Sequence, residues 1–201
     1  MIKNIVFDLG GVLVDFNPKA LLEHLGISEE KEELYGKIIF CSREWDKYNC
    51  GLFDAKQVKE AIIEKNPEYS EGIKYIFENL DYSHLLFEKT DTAEYLKTLK
   101  NEGYNIFLLS DLSKESFEYN ASMEFFKDIK GGIYSFEVGS TKPDDNNYER
   151  LLKDFNLIPD ETIFIDDRLK NIEAANKFGI HGILFTSLGE VKDKVSRLLE
   201  G

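Results

Sequence analysis

The amino-acid sequence predicts an α/β fold in which a mostly parallel sheet is layered between helices and a helical block is inserted after the first strand. Three observations carry this. Short apolar runs alternate with amphipathic stretches through most of the chain, the pattern of βα repetition. Each apolar run has the length of a strand and stops at a polar residue. From about residue 16 to 86 the alternation lapses, and only helical spacing is found.

Taken in chain order, Ile2 to Phe7 has the pattern of a buried strand ending at Asp8. The insertion contains helical stretches at Gln57 to Lys65 and Glu71 to Leu80, with Ser70 placed to cap the second. Asp91 is placed to cap a helix over Thr92 to Lys100, with Gly103 beyond its end. Ile106 to Leu109 is the next strand, ending at Ser110, and the apolar stretch Ile133 to Val138 leads to Lys142. Asp144 or Asp145 caps a helix carrying Tyr148, Leu151, Leu152 and Phe155. Thr162 to Ile165 is a strand ending at Asp166. A helix over 168–178 follows, with Ile172, Ala175 and Phe178 near one face and Gly179 as its stop. His181 to Phe185 is the fourth strand, and Val191, Val195 and Leu198 give the stretch from Leu188 helical spacing. The expected organisation is a core of residues 1–15 and 87–201 with a helical domain of residues 16–86 set into it.

Composition narrows the function. A chain of 201 residues suits one compact core with a small appendage, and 42% apolar with 13% aromatic residues is a globular composition. The net charge of -13 argues against nucleic-acid or anionic-membrane surfaces, which need clustered Lys and Arg. An anionic small molecule stays compatible, because a buried site has its own local field. Cys41 and Cys50 are too few for a disulfide framework and lack metal-site spacing, which fits reduced thiols in the cytoplasm. The start MIKNIVFDLGG lacks the pattern of a signal peptide, and no run approaches the ~20 apolar residues of a membrane span. The expected protein is soluble and cytoplasmic.

In an open parallel sheet, ligands bind outside the carboxyl ends of the strands. Asp8, Ser110 and the pair Asp166–Asp167 each follow a different predicted strand, and Lys142 is a fourth contributor. These residues sit in four segments: DLGGVLVD from Asp8, LLSD ending at Asp111, KPDD from Lys142, and FIDDRLKNIEAA around Asp166. In order and approximate spacing, these segments resemble the haloacid dehalogenase superfamily, from residue 2 to about 185. The place of the insertion resembles the helical cap of that superfamily's phosphatase and dehalogenase branch.

The resemblance implies a Rossmann-like three-layer core and a Mg²⁺-dependent phosphate-ester hydrolase acting on a small phosphorylated metabolite. Asp8 would be the nucleophile that forms an aspartyl-phosphate. Ser110 and the backbone N–H of Asp111 would hold phosphate oxygens, and Lys142 would add a fixed positive charge. The cation would take oxygens from Asp8, the Gly10 carbonyl and Asp167, with Asp166 acting through water. Each residue also has an ordinary reading: Asp8 and the Asp166–Asp167 pair as turn or helix caps, Ser110 as a turn residue and Lys142 as a solvated lysine. Adjacent carboxylates at a strand end repel each other, which a cation relieves. Asn171 is open between supporting this site and lying on a helix surface, while Arg168 and Lys170 read as solvated. In the insertion, Trp45, Tyr48 and Gly51 are candidates for substrate choice, with core packing as the competing role of the two aromatics.

One position departs from the family pattern. Most of its phosphatases carry a second Asp two residues after the nucleophile, as general acid and then base; here that residue is Gly10. Asp15, seven residues past the nucleophile, reads as a turn or capping residue and does not obviously fill the gap. Gly10 leaves open an enzyme for esters with good leaving groups, such as sugar-1-phosphates or acyl phosphates. It also leaves open a weak or inactive phosphate-binding protein and a metal-independent 2-haloacid dehalogenase. A dinucleotide-binding protein is set aside, because G-x-G-x-x-G is absent.

Overall fold

The computed structural model describes residues 1–200. The strands are β1 (Asn4–Phe7), β2 (Val14–Phe16), β3 (Leu86–Glu88), β4 (Asn105–Ser110), β5 (Gly131–Tyr134), β6 (Thr162–Asp166) and β7 (His181–Leu184). Between β2 and β3 lie α1 (Pro18–His24), α2 (Glu29–Tyr35), α3 (Arg43–Asn49), α4 (Ala55–Lys65) and α5 (Ser70–Glu78). The remaining helices are α6 (Thr90–Asn101), α7 (Lys114–Asn120), α8 (Ser135–Val138), α9 (Asp145–Asp154), α10 (Leu169–Lys177) and α11 (Leu188–Glu200).

Five strands form one parallel sheet in the order β5-β4-β1-β6-β7. Its three central strands are buried on both faces, which is why they read as continuous apolar runs rather than alternating ones. Within β1 the pleat still sorts the side chains. Ile5 and Phe7 join a core with Leu96 and Leu99 of α6 and Val191 and Val195 of α11. Val6 joins a second core with Tyr148 and Leu151 of α9 and Ile172 and Ala175 of α10. Helices therefore cover both faces, and the three-layer Rossmann-like architecture expected from the sequence is present.

The register sets the site. Phe7 lies level with Leu108 and Ile165, so β1 runs out between β4 and β6. The chain builds outward from β1 through β4 to β5, then crosses back to β6 and β7 on the other side. β1 thus stands at the reversal of strand order, where open α/β sheets form their crevice.

Three local expectations need correction. The region from 16 to 86 is flanked by strand: β2 and β3 form an antiparallel ribbon that pairs Phe16 with Leu86. At three residues each, neither is long enough to show a period of two. Ser70 is the first residue of α5 rather than its cap, because the chain already turns helically from Pro67. Asp91 sits inside the first turn of α6, whose N-cap is Lys89; there its charge complements the helix dipole without capping a backbone N–H. Asp144 does cap α9, accepting from the Asn146 N–H. An unforeseen capping box joins Asp54 and Gln57 at the start of α4.

The inserted helices pack on the same core as one face of the sheet, through residues such as Leu22, Ile39, Val58 and Ile73. At the end of α3 they are tied to the segments that follow β4 and β5. The fully buried Ser135 hydroxyl donates to the Asn49 carbonyl at 2.6 Å and accepts the Leu112 N–H at 2.9 Å. Gly51, at φ +68°, passes so close that an added Cβ would lie 2.5 Å from the Phe136 carbonyl oxygen. Among the described residues, no helix is long and apolar enough to cross a membrane.

Ser135→Ala leaves a buried N–H and a part-buried carbonyl without this partner, which costs about 1–3 kcal/mol. The expected result is a lower urea midpoint with an unchanged slope, measured by equilibrium unfolding.

Candidate active site

Asp8 follows β1 and is nearly buried, at 6% exposure. Its Oδ1 accepts the Leu9 N–H at 2.7 Å, and its Oδ2 lies 2.8 Å from the Lys142 ammonium. Lys142 reaches in from the loop between α8 and α9. Its Nζ also donates to Asp166 Oδ2 at 2.8 Å and to the Leu109 carbonyl at 2.9 Å. Three protons meet three oxygens, and Phe164 lies beneath with its ring centre 5.6 Å away.

Asp166, at the end of β6, is fully buried and heavily engaged. The Asn171 amide donates to both of its oxygens at 2.9 Å, and the Arg168 N–H donates to Oδ1 at 2.7 Å. Asn171 is itself buried on α10, so it supports the site rather than lying on a helix surface. Asp167, next along the chain, is exposed toward the opening. Asp8, Asp166 and Asp167 each offer a carboxylate oxygen within 4.8 Å of the others.

These charges shift one another. Burial raises the Asp8 carboxyl to about 7, against the pull of Lys142 and with a further push from Asp166. Asp111 and Asp167 are raised too, first by burial and then, for Asp167, by the neighbouring Asp166 charge. Burial alone would lower the Lys142 ammonium, yet Asp8, Asp166 and Asp111 together hold it above the ordinary lysine value. Four carboxylates around one ammonium make a site short of positive charge.

The two glycines after Asp8 play opposite parts. Gly11 has φ +76°, and a Cβ there would lie 2.5 Å from Asp167 Oδ2, so only glycine lets this turn lie against that carboxylate. Gly10 has no positive φ, and a Cβ there would meet nothing within 4 Å. Sterics therefore do not require glycine at residue 10. Among the described residues, no backbone N–H donates to the Gly10 carbonyl.

Asp8, Gly10, Gly11, Asp111, Lys142, Asp167 and Asn171 open onto one cavity of about 540 Å³, with Asp166 buried behind them. Ser110 lines it at the end of β4 beside Asp111, whose Oδ1 accepts the Lys142 N–H at 2.9 Å. Trp45 lines the wall formed by the inserted helices. It is also core, packed edge-on against Phe40 at 4.8 Å and Tyr48 at 5.2 Å. Tyr48 is buried with its hydroxyl 3.1 Å from that of Tyr82, and neither Tyr48 nor Gly51 lines the cavity. Arg168 and Lys170 are exposed, as expected, but stand at the mouth. Asp15 lines the cavity 3.5 Å from the Lys89 ammonium, which also donates to the Gly11 carbonyl at 3.0 Å. Lys89 gave no signal in the sequence. Ser116 and Asn120 of α7 also line the cavity; their spacing of four places them on one helix face, a signal that was available.

A parallel sheet with a carboxylate beyond its central strand, a buried lysine and an acidic pair beyond the next strand defines an α/β enzyme with a cation-seeking anionic site. The haloacid dehalogenase-like hydrolase family matches residues 2–179, and the chain belongs to that family. It is 26% identical to a sesquiterpene phosphatase of Aspergillus oryzae, over 92% of this chain and 90% of that protein. It is 29% identical to a D-ribitol-5-phosphate phosphatase of Bacteroides thetaiotaomicron, over 89% of each chain. A haloacid dehalogenase family enzyme of Bacteroides thetaiotaomicron, solved with magnesium and inorganic phosphate, shares the fold at a TM-score of 0.74 and 21% identity, covering 95% of this chain and 99% of that one.

The glycine pair gives a contrast to measure. Gly11→Ala is expected to cost about 1–3 kcal/mol, the range for a non-glycine residue held in a disfavoured conformation. Gly10→Ala should unfold close to the parent in the same thermal or urea melt.

Proposed function

We propose that this protein is a Mg²⁺-dependent phosphate monoester hydrolase that forms an aspartyl-phosphate on Asp8. The substrate class is a small phosphorylated metabolite, including sugar phosphates whose leaving group departs readily. The observation that carries this is the meeting of Asp8 with Lys142 on one side and with the carboxylates of Asp166 and Asp167 on the other. The phosphatase relatives support the same reaction class.

The residues suit a divalent cation. A cluster of carboxylate oxygens within 4.8 Å of one another, next to a carbonyl with no backbone donor, is the hard oxygen set that Mg²⁺ takes. Asp8, the Gly10 carbonyl and Asp167 would hold it directly. Asp166 already accepts four hydrogen bonds, which suits a contribution through water. When bound, Mg²⁺ would neutralise phosphate charge and relieve the surplus of carboxylates.

The chain's own groups then divide the work. Lys142 offsets part of the effect of burial on the Asp8 carboxyl and faces the oxygens on which charge develops. Ser110 and the Asp111 N–H hold non-bridging phosphate oxygens. A carboxylate oxygen of Asp8 attacks phosphorus in line, the bond to the leaving oxygen breaks, and the phosphoryl group stays on Asp8. Water then attacks that phosphorus, releasing inorganic phosphate and the free carboxylate. Gly10 supplies no proton to the leaving oxygen, so the reaction favours esters that need little protonation. The inserted helices act as a cap, with Trp45 on the wall that faces the leaving group. The acidic pair also speaks against a metal-independent dehalogenase, because an anionic haloacid would meet uncompensated carboxylates.

Asp8→Asn is expected to abolish turnover in a phosphate-release assay, since an amide cannot form the acyl phosphate; near-normal activity would refute the mechanism. On a panel of acetyl phosphate, sugar-1-phosphates and primary alkyl phosphates, the parent should turn over with Mg²⁺ and stop with chelator. Gly10→Asp, for which the backbone has room, should raise alkyl phosphate hydrolysis most, by up to the ~10²–10⁴ that general acid–base assistance supplies. An equal gain on every member of the panel would undo the leaving-group argument.

A further inference from the structure

Lys142 is held at both of its ends by one strand terminus. Leu109, in β4, takes its ammonium through the main-chain carbonyl at 2.9 Å. Two residues on, the Asp111 side chain takes its backbone N–H at 2.9 Å. The loop turns sharply at this point, with the Asp144 N–H donating to the Thr141 carbonyl at 3.0 Å, and Asp111 is the acceptor found for the Lys142 N–H. At the ammonium end Nζ is also held by Asp8 and Asp166 and lies over the Phe164 ring. An ammonium with all three protons engaged has one position that satisfies them, so a displaced backbone strains those hydrogen bonds or draws Nζ away from them.

We propose that Asp111 is a positioning residue for Lys142: its carboxylate clamps the Lys142 backbone so that the ammonium falls between Asp8 and Asp166. This rests on the phosphatase reading of the site, and it gives the Asp111 side chain a role apart from the phosphate contact of its backbone N–H. Asp111 acts through the lysine, and its second effect is electrostatic, since its charge adds to those that keep the buried ammonium protonated. The hydrogen bond itself needs only an acceptor oxygen. An asparagine side chain provides one of the same shape, whereas alanine provides none.

Asp111→Asn and Asp111→Ala are compared with the parent by steady-state kinetics on acetyl phosphate with Mg²⁺, together with a thermal melt of each protein. Misplacing a group by about 1 Å costs about 10²-fold. Asp111→Ala is therefore expected to lose about that factor in kcat with KM little changed, because Lys142 acts mainly on the transition state. Asp111→Asn is expected to restore most of the parent's kcat. The proposal is overturned if Asp111→Asn is as inactive as Asp111→Ala, which would make the carboxyl group itself a proton carrier. It is equally overturned if the alanine variant keeps the parent's kcat. Should the alanine variant fail to fold, the asparagine variant decides alone: a parent-like kcat supports the clamp and a collapsed kcat removes it. A parent enzyme with no turnover on acetyl phosphate would instead defeat the phosphatase reading, before either variant is compared.

Discussion

Lys142 is the only lysine or arginine buried among the described residues, and the arrangement around it fixes where everything else at the site can lie. A buried ammonium is tolerated only when its protons are all taken and its charge is balanced. Here the Leu109 carbonyl, Asp8 and Asp166 take the protons, and they come from β4, the end of β1 and β6. One side chain thus ties together the three central strands of the sheet at their carboxyl ends. The same ammonium prevents Asp8 from being simply a buried, neutral acid, since burial without it would push the carboxyl higher still.

The surroundings of Asp166 follow from that tie. With Lys142, two contacts from the Asn171 amide and the Arg168 N–H on its oxygens, Asp166 is rigid and saturated. Asp167 is left as the exposed partner, and Gly11 gives it room by carrying no Cβ. Adjacent identical residues therefore have different environments: one is a strut inside the protein, the other a carboxylate facing the cavity. The inserted helices enclose this corner from outside. They are bound at Ser135 and at the Gly51–Phe136 approach, both close to where β4 and β5 end, so the walls of the cavity are referenced to the same strand termini as its floor.

Much of this is legible in the sequence, for a physical reason. A parallel sheet puts the residue after each strand at one rim, so Asp8, Ser110 and Asp166 could be placed together from strand ends alone. Asp8, Lys142 and Asp166 do converge through direct contacts, and a carboxylate oxygen of Asp167 comes within 4.8 Å of those of both aspartates. The β2–β3 ribbon was illegible because three-residue strands carry no measurable period. The role of Asn171 was undecided because a helix-surface amide and a buried donor look alike when the depth of the helix is unknown. Trp45 was assigned to the cavity or to the core as alternatives, whereas a large ring between two layers serves both. Lys89 could not be found at all, because its contact with Gly11 depends on how the chain returns from the insertion.

The open space at Gly10 has the most consequence for function. A side chain would fit there, so the packing of the turn did not exclude an acid. An acid at that position would add another carboxylate to a site that already sets Asp8, Asp111, Asp166 and Asp167 against a single ammonium, and each added negative charge weakens the hold on a phosphate dianion. Glycine avoids that repulsion and forgoes a proton at the leaving oxygen. The balance favours glycine when the leaving group is stable as an anion and opposes it when the leaving group is an ordinary alkoxide. On the proposed reaction, the electrostatics of the pocket and the choice of substrate are one constraint: the more acidic the cluster that would hold a cation, the less the chemistry could rely on a further carboxyl group beside it.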